Sequence, residues 1–480
     1  MKQRIVRTNR WGTVALSALM VCAVLGCDDN TTNSNHISSV MDSGVASDLS
    51  MSDAAILPDL FVDEEGTAWP APPVVPQRET CEDERPPVVM VHGFLAAGDT
   101  WSPHRRRLIA NGLCADRLYV FDWNSLDQAA NHTALLAEFI NEVLETHNVE
   151  AIDLMGHSMG GRLGYDYLAD PVRRQTVRRY VHIGSLPNEA PPGPEDEPVP
   201  TLNLWSVGDL VVEGGDIPGA TNVSLPDADH YAVATSDEAF EVVYSFLYDE
   251  AATTTEPLTA EPAIVSGRFL TFGENLSIEG GVIQVWHVSA DTGLRVNPIQ
   301  RFDVGEDGSW GPLIADSNTR YEFVGKSPDP AAIDVRHFFE TFPGDKALTY
   351  VRGFPGPGGL AGALTVLLPK TESQSTLVIY NGRGSFLAGR DSLTLNGQEL
   401  LNEETAPAEN TSIALFVFDI DGDNATGGRS PIFDMFPFLA AVDQPLPVSE
   451  TTPIELNYNG RKIVLPSEPA ADGIFVAIFD

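Results

Sequence analysis

Basic residues are scarce in this chain of 480: 29 Lys and Arg stand against 68 Asp and Glu, a formal net charge of −39. A surface of that sign repels phosphate backbones, which excludes nucleic-acid binding and disfavours electrostatic docking on anionic headgroups. Long apolar runs are scarcer still. Only the stretch from about Val14 to Leu25 approaches spanning length, so a polytopic membrane protein is excluded. Cysteine is limited to four residues and histidine to ten, and thiol or imidazole chemistry has few places to reside. What is present suffices for folding. Hydrophobic residues make up 43% of the chain, enough for one large or two ordinary cores.

The N-terminus has the layout of an export signal: Lys2, Arg4, Arg7 and Arg10 precede the apolar run, which closes on Gly26 and Cys27. Val24-Leu25-Gly26-Cys27 resembles the lipobox of bacterial lipoproteins. The resemblance implies that residues 1–27 are a signal and that Cys27 becomes the lipidated first residue. The protein would then be exported and held on a bacterial membrane, at the outer membrane or cell surface. An ordinary cleaved signal or an uncleaved anchor is the alternative. From Asp28 to Trp69 there are nine acidic residues and no Lys or Arg, too little apolar surface to order itself. Residues 28–78 are therefore expected to be a disordered tether, with a reach on the order of 40 Å for about 50 flexible residues. In an exported chain Cys81 and Cys114 are candidates for a disulfide, with free buried thiols the alternative.

Strand-like and helix-like segments alternate over residues 79–250. Short apolar runs at 87–91, 118–121, 151–155, 180–183 and 202–207 read as buried strands. Leu136, Phe139, Ile140, Val143 and Leu144 recur at helical spacing, and Thr235-x-x-Glu238 reads as a capping box for a last helix. Such alternation predicts a mostly parallel sheet with helices on both faces. From about Pro262 no long helical period remains, and short β-branched runs with Gly and Pro predict an all-β barrel or sandwich over 262–345, then further β-structure over 346–480.

Gly156-His157-Ser158-Met159-Gly160 follows the strand at 151–155 and precedes a helix-compatible segment. A sharp strand-to-helix turn needs small residues on either side, and it lifts the Ser158 hydroxyl above the sheet. That hydroxyl needs a base, and the base needs an orienting carboxylate. Of the four histidines after Ser158, His182 sits in a core strand and His287 and His337 belong to the β half. His230, in a loop before the last helix, is left as the base. Asp209, beyond the strand at 202–207, is the expected acid, with Asp216 and Asp122 as rivals. The backbone N–H groups of Met159 and Phe94 are the expected oxyanion donors, with Gly93 allowing the turn and His92 fixing the loop.

Together, His92-Gly93-Phe94, Gly156-His157-Ser158-Met159-Gly160, Gly208-Asp209 and His230 resemble the α/β-hydrolase family on its lipase branch. The resemblance implies acyl transfer to water through an acyl-serine intermediate, with ester or lipid substrates and no cofactor. Segments of 262–345, among them Val282-Ile283-Gln284-Val285-Trp286 and Asp307-Gly308-Ser309-Trp310, are similar to the C-terminal β-domain of an archaeal long-chain lipase group. A triacylglycerol lipase or esterase is the leading expectation. A polyester depolymerase and a catalytically inert lipid-binding or adhesion protein are the alternatives.

Further features carry weaker expectations. The connector Pro187 to Pro200 holds six prolines and four acidic residues, so it cannot be an amphipathic lid helix. Phe433, Met435, Phe436 and Phe438 read as core packing, with a cover over the site as the other reading. His104-Arg105-Arg106-Arg107, Arg173-Arg174 and Arg178-Arg179 are expected to pair with surplus carboxylates. Asp419, Asp421 and Asp423 suggest a cation loop, but Ser430 at the twelfth position excludes an EF-hand.

Overall fold

The computed structural model describes residues 61–354, 362, 366–429, 433 and 438–480. Cys27, the export segment, the tether up to residue 60, Ser430, Met435 and Phe436 lie outside the described residues. No helix among the described residues is long and apolar enough to cross a membrane.

Six strands build the first half: β1 (Val88–Val91), β2 (Leu118–Phe121), β3 (Ile152–His157), β4 (Val177–Ile183), β5 (Thr201–Trp205) and β6 (Thr221–Ser224). They form one sheet in the order β2-β1-β3-β4-β5-β6, every pair parallel. Five helices accompany it: α1 (Ser102–Ala110), α2 (His132–His147), α3 (Met159–Leu168), α4 (Ala232–Thr235) and α5 (Asp237–Tyr248). Alternate side chains of β1 show why this strand reads as an unbroken apolar run. Val88 and Met90 pack with Leu108 of α1 and Phe240 and Val243 of α5. Val89 and Val91 pack on the other face with Ile140 of α2 and Leu163 of α3. A sheet covered on both faces needs apolar residues at every position.

The chain leaves β1 for β2 on one side, then crosses back to β3 on the other. That reversal opens a crevice between the carboxyl ends of β1 and β3, where open parallel sheets bind their ligands. Gly93 follows one of these strands and Ser158 the other.

The second half is built on a sheet of eight strands: β7 (Val282–Val288), β8 (Arg295–Asp303), β9 (Arg320–Lys326), β10 (Val335–Phe339), β11 (Leu377–Asn381), β12 (Ala414–Phe418), β13 (Leu439–Asp443) and β14 (Ile474–Phe479). Their order is β8-β7-β9-β10-β14-β11-β12-β13. The last strand of the chain, β14, lies parallel to both β10 and β11. One sheet thus runs across the boundary expected at 345/346. Both its faces are apolar, with Ile474, Val476 and Ile478 in one core and Phe475, Ala477 and Phe479 in another.

Three further points differ from the sequence reading. Residues 61–78, expected as part of the tether, pack on the β half instead. Trp69 is buried edge-on against Trp286 at 5.2 Å, and Arg78 pairs with Asp345 at 2.6 Å. The segment lacks a core of its own but borrows one from the β half, a long-range contact that local composition does not register. The cap of α5 is Ser236, whose side chain accepts from Ala239 N (3.2 Å), while Thr235 closes α4 and donates to Arg383 O (2.6 Å). Strand β6 was not anticipated, because Thr221-Asn222-Val223-Ser224 is a half-exposed edge with a single apolar residue.

Six imidazoles among the described residues are buried, and four of them shift strongly. Burial pushes His104, His157 and His337 down to about 3 and His182 to about 4. In the unfolded chain a histidine takes up its proton near about 6.5. Between that pH and about 4 the unfolded state therefore binds more protons than the native one. The stability these groups contribute is complete above that window and is lost as pH falls through it. Asp153, pushed up to about 6 by burial, opposes the trend in part. The melting temperature should fall steadily between pH 7 and pH 4.5, with each histidine supplying a slope of up to about 1.4 kcal/mol per pH unit. A flat scanning-calorimetry profile over that range would contradict this.

Candidate active site

The turn from β3 into α3 places Ser158 at φ 54°, ψ −121°, a backbone conformation that a residue with a Cβ rarely adopts. Surrounding hydrogen bonds hold it there. Ser158 N donates to Ile183 O (2.9 Å), and Ser158 O accepts from Ser185 Oγ (2.7 Å) and Gly161 N (3.0 Å). The flanking glycines are required by contact: a Cβ on Gly156 would meet Gly160 O at 2.4 Å, and one on Gly160 would meet Val91 O at 2.3 Å. The spacing read from sequence is thus enforced by backbone packed on backbone.

Asp209 and His230 converge on this turn from two loops beyond the same sheet edge. His230 Nε2 lies 3.0 Å from Ser158 Oγ, and His230 Nδ1 lies 2.7 Å from Asp209 Oδ2. Asp209 Oδ1 accepts from Val211 N and Val212 N (both 2.9 Å), which aims the other oxygen at the ring. An ionised carboxylate only accepts, so Nδ1 carries the proton and Nε2 is left free to accept from the serine. Ser158 and His230 are each 3% exposed, so the chain of hydrogen bonds is shielded from water. Beneath it lies His157, which burial keeps neutral. Its Nε2–H donates to His230 O (2.8 Å) and fixes the backbone that carries the His230 ring.

The amides expected as oxyanion donors belong to Met159, the residue after Ser158, and to Phe94 on the loop after β1. Met159 N opens α3, where unpaired amides and the helix dipole favour negative charge. Phe94 follows Gly93, where an added Cβ would lie 2.9 Å from Ser158 Cβ. His92 is structural: Nδ1 donates to Gly93 O (2.8 Å), Nε2 accepts from Trp123 N (3.2 Å), and its carbonyl accepts from the Trp123 indole (3.0 Å).

The rival groups are engaged elsewhere. Asp216 accepts from the Trp205 indole (3.2 Å), and Asp122 holds Gly98 N (2.6 Å) and Tyr350 OH (2.6 Å). His182 bonds Asn203 (3.0 Å), and His337 accepts from Arg352 N (3.2 Å). Cys81 and Cys114 are joined in a disulfide, Cα to Cα 5.4 Å. Arg107 pairs with Asp237, Arg178 with Asp153 and Arg179 with Asp249, whereas Arg105 donates to the Ala115 carbonyl. The carboxylates of Asp419, Asp421 and Asp423 lie within 4.8 Å of one another. Each accepts a backbone amide of its own loop.

Sequence reasoning missed what the β half adds. Asn275 Nδ2 donates to Ala96 O (2.7 Å) and Trp123 O (3.1 Å), pinning the loop after β1 from outside. Of the aromatic cluster, Phe433 is fully buried against Phe416, so core packing describes it. Phe438 instead lies parallel to the His230 ring, at 5.7 Å and 9°. No local pattern distinguishes these two phenylalanines.

A family model described as the alpha/beta hydrolase fold matches residues 86–224. The parallel sheet and helices of this match form an α/β-hydrolase domain. Beyond it, a model described as a lipase C-terminal domain matches residues 261–352, and a further C-terminal-domain model matches 364–464. Among solved structures, the chain is similar to a carboxylesterase from Bacillus subtilis at 16% identity, covering 35% of this chain and 85% of that one, TM-score 0.26. A lipase from Bacillus licheniformis matches at 16% identity over 36% and 96%, TM-score 0.28. Lipase B from Aspergillus fumigatus matches at 15% over 37% and 56%, TM-score 0.30.

The elbow of the hydrolase domain gives a direct prediction. Gly160→Ala must displace β1 or α3, so it should lower stability by about 3 kcal/mol in urea unfolding, and wild-type stability would refute the packing argument.

Proposed function

We propose that the chain is a carboxylic ester hydrolase, a lipase or esterase that works through an acyl-serine intermediate. The observation that carries this reading is the chain from Ser158 Oγ to His230 to Asp209, at 3.0 and 2.7 Å and shielded from water. Ser158 Oγ attacks the ester carbonyl carbon while its proton passes to His230 Nε2. Asp209 stabilises the imidazolium, and the amides of Met159 and Phe94 receive the negative oxygen. The tetrahedral species collapses as the alcohol leaves with the proton from His230. Water then repeats the sequence on the acyl-serine, yielding the carboxylic acid and returning the proton to Ser158.

Two features favour apolar acyl groups. Leu186, Val207 and Leu210 are exposed just beyond the carboxyl ends of β4 and β5, on the edge that bears the reacting groups. The match to a lipase C-terminal domain agrees with a lipase. The connector 187–200 contains no helix, so soluble esters are also within reach of the site.

A fluorophosphonate should label Ser158, and Ser158→Ala should abolish both labelling and turnover of p-nitrophenyl esters while the melting temperature holds. Asp209→Asn should lower kcat by roughly 10⁴-fold, because the imidazole loses its tautomer. Labelling that survives Ser158→Ala would overturn the reading. Within it, a marked preference for acetate over long-chain esters would leave an esterase and remove the lipase.

We also propose that Cys27 is acylated and holds the enzyme on a membrane. Cys27→Ser should move the protein from the membrane fraction to the soluble one, and unchanged fractionation would contradict this.

A further inference from the structure

The residues on either side of His230 are fastened to the β half rather than to the hydrolase domain alone. Asp229 is almost fully buried, and the chemistry of the triad does not use it. Its Oδ1 accepts from Tyr231 N (3.0 Å) and Ala232 N (2.9 Å), shaping the start of α4. Its Oδ2 accepts from Arg390 Nη1 (2.8 Å) and Ser385 N (3.2 Å), both from the β half. Burial pushes the Asp229 carboxyl up, but the Ala232 amide and Arg390 together hold it below its ordinary range, so the clamp stays ionised. On the other side of His230, the Tyr231 hydroxyl meets the Tyr380 hydroxyl of β11 at 3.2 Å and donates to Thr100 Oγ1 (3.2 Å).

Phe438 then reaches the ring itself. Parallel rings at 5.7 Å are in the range of offset stacking. The phenylalanine stands at φ 69°, a conformation unfavourable for a bulky side chain, one residue before β13. Two backbone bonds hold it there, from Ile413 N (2.9 Å) and Ala414 N (3.3 Å) to Phe438 O. The buried Phe438 packs with Tyr231 and Ile413 in a small apolar cluster that Phe94 and Val211 adjoin. A strained aromatic directed at a reacting imidazole is a reason to look for a role in the reaction.

We propose that Phe438 is a positioning residue for His230, and that the β half thereby completes the active site of the hydrolase domain. This rests on the ester-hydrolase reading above. The parallel ring opposes tilting of the imidazole plane, so Nε2 stays on the line to Ser158 Oγ. As the serine proton arrives, the imidazole gains positive charge beside an aromatic face, an attraction that is absent in the resting enzyme. The contribution therefore belongs to kcat. Substrate affinity is not its target.

The test uses full-length protein and a p-nitrophenyl ester. Phe438→Leu keeps an apolar side chain but removes the ring, and it should lower kcat about tenfold with KM unchanged. Fluorophosphonate labelling of Ser158 should slow in parallel. Phe438→Tyr keeps the aromatic face and should restore most of the rate. Arg390→Met, which releases the clamp on Asp229, should also lower kcat without raising KM. Circular dichroism and melting temperature check that each variant is folded. A raised KM with kcat intact would make Phe438 part of the substrate wall and overturn the proposal, as would equal rates for Phe438→Leu and the wild type. Those results leave the ester-hydrolase reading standing, because the wild type still turns over ester. A wild-type protein that neither labels at Ser158 nor hydrolyses ester removes both.

Discussion

The site depends on one turn that the backbone would not adopt unaided. Ser158 at positive φ is unfavourable by itself, and removing either flanking glycine would drive a side chain into a carbonyl oxygen. The fold sustains it because the parallel sheet already places β1, β3 and β4 side by side. Val91 O approaches Gly160, and Ile183 O receives the Ser158 amide. The strain costs about 1–3 kcal/mol and is offset by a sheet buried on both faces. What the turn provides is a hydroxyl raised above the sheet edge, at the start of a helix.

From that turn the remaining groups follow in layers. Asp209 is aimed by two amides of its own loop, His230 is given its tautomer by Asp209, and His157 holds the His230 carbonyl. The hydrolase domain supplies all of these. The β half supplies the next layer, with Asn275 against the loop after β1, Arg390 on Asp229 and Phe438 on the imidazole. Ion pairs across the same boundary, Arg352 to Asp99 (2.6 Å) and Arg268 to Asp122 (3.1 Å), keep the halves in register. A domain that first appears to be an appendage is thus built into the surroundings of His230.

The boundary between what was legible in sequence and what was not follows the range of the interaction. Buried strands such as Val88-Val89-Met90-Val91, the glycine spacing around Ser158 and the order serine, acid, histidine are local or sequential signals, and the structure brings their residues together. The misses are tertiary. Trp69 orders its segment only because Trp286 is there, and Ser236 displaces Thr235 as the cap because Thr235 is drawn to Arg383. Phe433 and Phe438 are five positions apart and alike in composition, yet one fills a core and the other faces the His230 imidazole. Their tertiary contacts, Phe416 for one and His230 for the other, separate them.

The central claim is that the Ser158 oxygen carries the acyl group during turnover. Rapid-quench mass spectrometry with a p-nitrophenyl ester addresses it without inhibitors. A burst of p-nitrophenol close to one equivalent per enzyme, with the acyl mass on the peptide containing Ser158, is the predicted result. Turnover of the ester by the wild type with no acyl adduct on the Ser158 peptide, or an adduct on a different residue, would contradict the account.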